Sequence, residues 1–304
     1  TIIILNKMSV NLSLIIGNYH TEKHIISLLS NLSKQNYHIG DFEIILINNT
    51  QNTKLAMLTE TFKGKLPFKI ISSEYNIGFG RAMNLGASYA TGEHLLITNP
   101  DIIIKDRSFL QKLAEHLDNN KNYGAMTCQL LNEKGEDKSE FIDFEFHATL
   151  GLDTSPRWLS GAFLVVRSFV FKQIGGFDPD FFMYCEDEDL CLRIQRAGLP
   201  LVKVNELSLS HIGGVSEPVK SYDFFYRWFR SQILFAYKHF SKEQFQNLLI
   251  ELENKSLKKL KTYKSISFLP IQRYKTKQNQ WNAMHDVVQK TKKQGAEWLF
   301  FKPH

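Results

Sequence analysis

The chain has 304 residues, 43% of them hydrophobic and 12% aromatic, enough apolar material for one large domain or a domain with an extension. No stretch approaches the ~18 to 20 consecutive apolar residues of a membrane-spanning helix, and the N-terminus does not read as a secretory signal, so a cytoplasmic protein is expected. Cys128, Cys185 and Cys191 lack zinc-type spacing and support neither a disulfide framework nor structural zinc. The net charge of +6 is modest, but basic residues crowd Lys255 to Lys302, which points to an anionic surface or substrate.

The apolar run from Leu12 to Ile16 predicts a buried strand. Thr21 then precedes Ile25, Leu28, Leu29 and Leu32 at helical spacing. Phe42 to Ile47 repeats the strand pattern before a polar loop, a helix follows, and Phe68 to Ser72 predicts a third strand. A glycine-bearing helix start at Gly78 to Gly86, a strand at His94 to Thr98 and an amphipathic helix from Asp106 to about Leu117 continue the alternation. Such alternation predicts a largely parallel sheet covered by helices on both faces.

In open parallel sheets, ligands bind beyond the carboxyl ends of the strands. Here those ends are Gly17-Asn18-Tyr19-His20, Asn48-Asn49 and Asn99-Pro100-Asp101. Tyr123 to Leu131 and Trp158 to Val166 predict further strands, and Gly175 to Asp178 a tight turn. Glu186 to Ala197 predicts a helix opening on acids. Beyond Gly214 come an aromatic and basic helix at Tyr222 to Phe240 and a lysine-rich amphipathic stretch at Glu251 to Lys264.

Three constellations could carry chemistry. Glu186-Asp187-Glu188-Asp189 sets four carboxylates before Leu190, Leu192 and Ile194. Crowding and partial burial raise a carboxylate's pKa, which suits a general base, although a solvated helix start would look the same. Asp101 could hold a divalent ion against a diphosphate, or merely close a turn. His211, before two glycines, could complete that metal site, or be structural. Asn76-x-Gly78-x-Gly80-Arg81 could meet phosphate oxygens, but Met83 stands where a dinucleotide fingerprint needs glycine, and the glycines could instead serve close packing.

Taken in order, LSLIIGNYH, EIILINN, NIGFGRAMNLGASYATGEHLLITNPD, WLSGAFLVVRSFVFKQIGGFDPDFFMYCEDEDLCLRIQRAG and SHIGG resemble the family 2 glycosyltransferases of the GT-A fold, above all their bacterial rhamnosyltransferase branch. The resemblance covers roughly residues 11 to 216. It implies an α/β, Rossmann-like, mostly parallel central sheet with flanking helices, with a donor-binding half at about 11–105 and an acceptor half at about 106–216 within a catalytic domain at 1–216. A helical basic extension at 217–304 would follow.

By this resemblance, Gly17, Tyr19, Glu22 and Asn76 would border the nucleotide. Asn48 would sit beside the base where the family usually carries aspartate, and an amide both donates and accepts hydrogen bonds. Arg81 would contact the diphosphate. Asn99-Pro100-Asp101 stands for the family's D-x-D motif with its first acid lost, which leaves Asp101, with His211, to hold Mn2+ or Mg2+. Asp187 would be the catalytic base, supported by Glu186 and Asp189. Ser160 and Gly161 would border the sugar, and Trp158 would stack on the acceptor.

The implied reaction is an inverting, metal-dependent transfer of rhamnose or a hexose from a dTDP- or UDP-linked donor to a hydroxyl of a bacterial surface glycan or lipid-linked oligosaccharide. The basic C-terminal region suits peripheral contact with the anionic inner face of the cytoplasmic membrane, and leaves room for a solvated face or a homodimer contact. A sugar nucleotidyltransferase is disfavoured by the absence of a glycine- and arginine-rich loop between Leu12 and Glu22. A noncatalytic glycan- or nucleic-acid-binding protein is disfavoured by the cleft carboxylates, so no nucleic-acid partner is expected.

Overall fold

The computed structural model describes residues 12–140, 146, 149–151, 156–264 and 272–302. The expectations that fall on residues 1–11 and on 265–271 of the basic stretch lie outside them. Strands β1 (Leu12–Asn18), β2 (Phe42–Asn48), β3 (Phe68–Ser72) and β4 (His94–Thr98) alternate with helices α1 (Glu22–Leu32), α2 (Lys54–Thr59) and α3 (Phe79–Ser88). The remaining strands are β5 (Ile102–Ile103), β6 (Ala125–Leu131), β7 (Phe163–Arg167) and β8 (Leu201–His211). With them come helices α4 (Phe109–Asn119), α5 (Ser168–Gln173), α6 (Glu186–Arg196), α7 (Tyr222–His239), α8 (Lys242–Lys264) and α9 (Gln272–Gln294).

The strands form one eight-stranded sheet in the order β3-β2-β1-β4-β7-β6-β8-β5. β3, β2, β1 and β4 are parallel. β7 runs antiparallel to β4 and β6, β8 is parallel to β6, and β5 is antiparallel to β8. The sheet is therefore mixed beyond β4. The central strands are buried on both faces, which is why they are apolar runs interrupted only near their starts by Ser13 and Glu43, whereas β3 at the edge is only half-buried.

Two cores result from the two-residue period of the strands. Leu12, Leu14 and Ile16 pack with Leu28, Leu29, Leu110 and Leu113 of α1 and α4 on one face. Ile15, Ile45 and Ile97 pack on the other with α3, α6, α7 and α9. The C-terminal helices thus share a core with the sheet, through Phe229, Ile233, Phe235, Met284 and Val287. The end of the chain is strapped down as well: Arg230 donates to the carbonyls of Leu299 at 2.9 Å and Phe300 at 2.8 Å, and Phe301 N–H to Asp180 O at 2.9 Å.

Two glycines of the Asn76–Gly86 segment show what that motif does. A Cβ on Gly86 would lie 2.3 Å from Ile15 Cγ2, so α3 sits on β1 only because the side chain is missing. Gly78 has φ +84° and a Cβ there would meet the Phe182 carbonyl at 2.2 Å, so both its conformation and its neighbour demand glycine.

Candidate active site

Topology gathers the polar loops on one edge of the sheet. The order β3-β2-β1-β4 reverses direction at β1, and the carboxyl ends of β1, β2 and β4 open on the crevice that such a reversal creates. Because β7 is antiparallel to β4, with Phe163 opposite Thr98, the residues entering β7 reach this same edge. Asn99 N–H donates to Ala162 O at 2.9 Å. β8 ends there too, with His211 opposite Ile102.

At the ends of β1 and β2 lies a network of amides. Asn18 Oδ1 accepts the backbone N–H of Thr21 at 3.1 Å, which fixes its amide as the donor to Asn48 Oδ1 at 3.0 Å. Asn48 Nδ2 donates to Asn52 O at 2.9 Å, and its Oδ1 also accepts Thr50 Oγ at 2.7 Å. The carbonyl of Asn48 is therefore fully used within the protein. Asn49 Nδ2 donates to Asn76 Oδ1 at 2.8 Å, and Asn76 Oδ1 accepts Gly78 N–H at 3.0 Å, so the Asn76 motif is tied to β2. Glu22 lies 3.4 Å from Asn18 Nδ2. Burial pushes its carboxyl up, but backbone and amide donors outweigh this and hold it below its ordinary value. Tyr19 is 40% exposed, its ring 4.7 Å from that of His20, whose φ of 57° is left-handed. Gly17 faces the Met83 side chain.

Beyond β4, Asp101 is 3% exposed and its Oδ2 accepts Gly213 N–H at 2.7 Å. His211 Nε2 stands 3.4 Å from the same oxygen, is buried, and has no hydrogen-bond partner among the described residues. Burial pushes the Asp101 carboxyl up, yet His211 and the Gly213 N–H outweigh it and hold Asp101 below the usual range. A buried carboxylate beside an unpartnered imidazole nitrogen fits a divalent cation. Among the described residues no third His, Cys, Asp or Glu joins them, so the other positions would fall to phosphate oxygens and water.

The acid cluster opens α6 after two consecutive left-handed residues, Tyr184 at φ 73° and Cys185 at φ 65°, each costing on the order of 1 to 2 kcal/mol. The Tyr184 hydroxyl donates to Glu217 at 2.8 Å, Arg227 clasps the same carboxylate, and the ring packs on Phe224 and Trp228. These contacts hold the strained turn. Asp187 Oδ2 accepts Gly161 N–H at 2.9 Å. Gly161, Ala162, Asn99 and Asp101 then run from the α6 carboxylate to the β4 carboxylate along one continuous edge.

Three of these acids are perturbed in different ways. Burial, with the charge of Asp187 next, pushes Glu186 and Glu188 well above their ordinary value of 4.5, and each has an oxygen without a hydrogen-bond partner among the described residues. Asp189 is also pushed up by burial but is held below its ordinary value by His239 and Arg193. A carboxyl whose folded pKa lies above its unfolded value binds its proton more tightly in the native state, so it subtracts stability as pH rises from 4.5 through the raised value. Thermal melts of Glu188→Gln are expected to show a flatter decline between pH 5 and 9 than the unmodified chain; parallel curves would refute the assignment.

Two expectations change. Trp158 is 1% exposed, edge-on to Phe235 of α7 at 6.0 Å, and belongs to the core, so its ring is not open as an acceptor platform. Arg81 Nε donates to Pro179 O at 2.7 Å and the guanidinium lies 4.6 Å over Phe301, so this basic group is engaged by the chain's own end. Ser160 is buried, its N–H donating to Ser139 O at 2.9 Å. The partners supplied by Glu217 and His239 had no sequence signal, being distant in the chain from Tyr184 and Asp189, which they hold.

The profile described as Glycosyl transferase family 2 matches residues 13–185. The rhamnosyltransferase WbbL of Escherichia coli K12 is 30% identical over 217 residues, 62% of this chain and 78% of WbbL. Among solved structures, Staphylococcus aureus TarS 1–349 in complex with UDP-GlcNAc superposes with TM-score 0.57 at 16% identity, covering 93% of this chain and 92% of that one. The chain spans 39% of a longer TarS structure, with TM-score 0.54 at 20% identity. The mannosyltransferase PcManGT of Pyrobaculum calidifontis, in complex with GDP-Man and Mn2+, gives TM-score 0.59 at 14% identity, over 92% of this chain and 86% of that one. These likenesses confirm the expected GT-A-type sheet with its helical C-terminal region, and the profile match over more than half its length shows that the chain belongs to glycosyl transferase family 2.

Proposed function

We propose that the chain transfers a sugar, rhamnose or another hexose, from a dTDP- or UDP-linked donor to a hydroxyl of a surface glycan or lipid-linked oligosaccharide, with inversion at the anomeric carbon. The observation that carries this is the Asp187 carboxylate, steered by the Gly161 N–H onto the edge that also bears Asp101 and His211. WbbL is named a rhamnosyltransferase and TarS is seen with UDP-GlcNAc, which supports both the sugar class and the diphosphate donor.

In this proposal the nucleoside lies over the amide network of Asn18, Asn48, Asn49 and Asn76, and the diphosphate reaches Asp101. Asp187 accepts the acceptor's proton as its oxygen attacks from the face opposite the leaving diphosphate. Asp101 and His211 would hold Mn2+ or Mg2+, which supplies positive charge against the departing diphosphate. Ser160 and Gly161 border the sugar. Among the described residues no helix is long and apolar enough to cross a membrane; the exposed lysines of α8 suit peripheral contact with an anionic membrane surface.

A thermal-shift screen of UDP-, dTDP- and GDP-sugars, with and without Mn2+, tests the proposal, because a ligand of the folded form raises its melting point. The expected result is a metal-enhanced shift of several degrees with a dTDP- or UDP-sugar. No shift with any sugar nucleotide would defeat it.

A further inference from the structure

The segment from Asp178 to Asp189 carries the catalytic turn, and α7 grips it along its length. Ser231 Oγ donates to Met183 O at 2.7 Å, and Lys238 pairs with Asp178 at 2.8 Å and Asp180 at 2.6 Å. At the last turn of α7, His239 Nε2 lies 2.8 Å from Asp189 Oδ1. The other oxygen of Asp189 accepts the Arg193 Nε–H at 2.8 Å and lies 2.7 Å from Arg193 Nη2 as an ion pair, within α6 itself. Among the described residues, His239 is therefore the group outside α6 that fastens this carboxylate, two residues from Asp187.

The hydrogen bonds define the imidazole's tautomer. Arg196 lies 3.0 Å from His239 Nδ1, and a guanidinium can only donate, so Nδ1 is bare and the proton sits on Nε2, aimed at Asp189. The same part of α7 touches the other side of the Asp187 hydrogen bond. Phe235, 4.6 Å from the His239 ring, packs edge-on against Trp158, three residues before Gly161. One turn of α7 thus sets both the roll of α6, which carries Asp187, and the position of the strand entry that carries the Gly161 N–H.

We propose that His239 is a positioning residue for sugar transfer: its Nε2 proton holds Asp189, and through it the face of α6 that keeps Asp187 against Gly161. This rests on Asp187 being the base. It also gives Asp189 a role distinct from proton transfer: it is the point at which the C-terminal helices grip the catalytic helix.

The test contrasts two amides in the full-length chain. Glutamine at 239 places an N–H where Nε2 was; asparagine reaches only the position of Nδ1. His239→Gln is expected to keep hydrogen exchange of the Gly161 amide within about twofold of the unmodified chain, and His239→Asn to speed it about tenfold, with the amides of β1 and β2 unchanged. Turnover of the sugar nucleotide selected by the thermal screen should fall about 30-fold in His239→Asn, within the range for a misplaced catalytic group, and about threefold or less in His239→Gln, with UDP and dTDP affinities unaltered in both. Unchanged Gly161 protection in His239→Asn, or faster exchange spread evenly through β1 and β2, overturns the proposal. On the unmodified chain, 15N-histidine spectra that place the His239 proton on Nδ1 overturn it without any variant. Asp187→Asn keeps the two ideas apart: full turnover there defeats the base assignment, whereas lost turnover there with indifferent His239 variants defeats only the positioning role.

Discussion

Asp187→Asn is expected to lower sugar transfer by about 10³-fold, within the usual range for removing a general base, while leaving UDP and dTDP affinity within about twofold. The substitution is close to isosteric. Its amide oxygen can still accept the Gly161 N–H that Asp187 Oδ2 accepts at 2.9 Å, so the α6 start keeps its place. The backbone N–H of Glu188, 3.2 Å from Asp187 Oδ1, would lose a partner; it is one of the unpaired donors of a first helical turn, which water can satisfy. What disappears is the capacity to take a proton. Since Glu186 and Glu188 are 5% and 4% exposed, neither is open to an acceptor hydroxyl in its place. The measurement is kcat with the donor chosen by thermal shift, beside calorimetric titration with the nucleotides. Turnover within threefold of the unmodified chain would remove Asp187 from the mechanism.

The sequence was most transparent where one physical demand dominates. β1, β2 and β4 are buried on both faces and consist of apolar runs, so their positions could be read directly. β8 escaped notice: Leu201, Val204, Leu207 and Leu209 are interleaved with polar residues, and its register against β6 slips between Cys128 and Gln129, which breaks the alternation. The expected strand at Trp158 to Val166 is a strand only from Phe163, because Ser160 and Gly161 turn aside to meet Ser139 and Asp187. α9 is mostly polar and packs through few residues, Trp281, Ala283, Met284, Val287 and Val288 among them, too sparse a stripe to define its limits in advance.

The site divides in the same way. Asp101, Asp187 and His211 were conspicuous as charged or imidazole groups at element ends, a feature of single positions. Their orientation was not conspicuous, since it depends on pairs such as Asp189 with His239 and Tyr184 with Glu217, which only the fold brings together. Arg81 shows the converse. A basic residue at a helix start suggests a phosphate ligand, yet its guanidinium is taken up by Pro179 and Phe301. Local sequence names a group's chemistry; tertiary packing decides whom it faces.

Asp101→Ala is expected to abolish the Mn2+ enhancement of nucleotide binding and lower turnover by about 10²-fold, the cost of losing stabilisation of charge on the leaving group. Two effects are combined in that variant, because Asp101 Oδ2 also accepts the Gly213 N–H at 2.7 Å and so anchors the loop after β8. Asp101→Asn separates them: its amide oxygen can keep the Gly213 bond while the negative charge is gone. It should therefore lose only the carboxylate's own stabilising contribution at pH 7, melting above the alanine variant, yet show no response to Mn2+, whereas the alanine variant loses the loop anchor as well. The charge is available for this role throughout the working range. Asp101's folded pKa lies below its ordinary 3.8, so its stabilising contribution is complete above that value and is lost only as pH falls through the lower, folded one. Metal-enhanced binding should accordingly owe none of its variation between pH 5 and 8 to Asp101. If Asp101→Asn titrates with Mn2+ as the unmodified chain does, the cation, where one is used, is held elsewhere, and Asp101 is left as the anchor of the Gly213 loop.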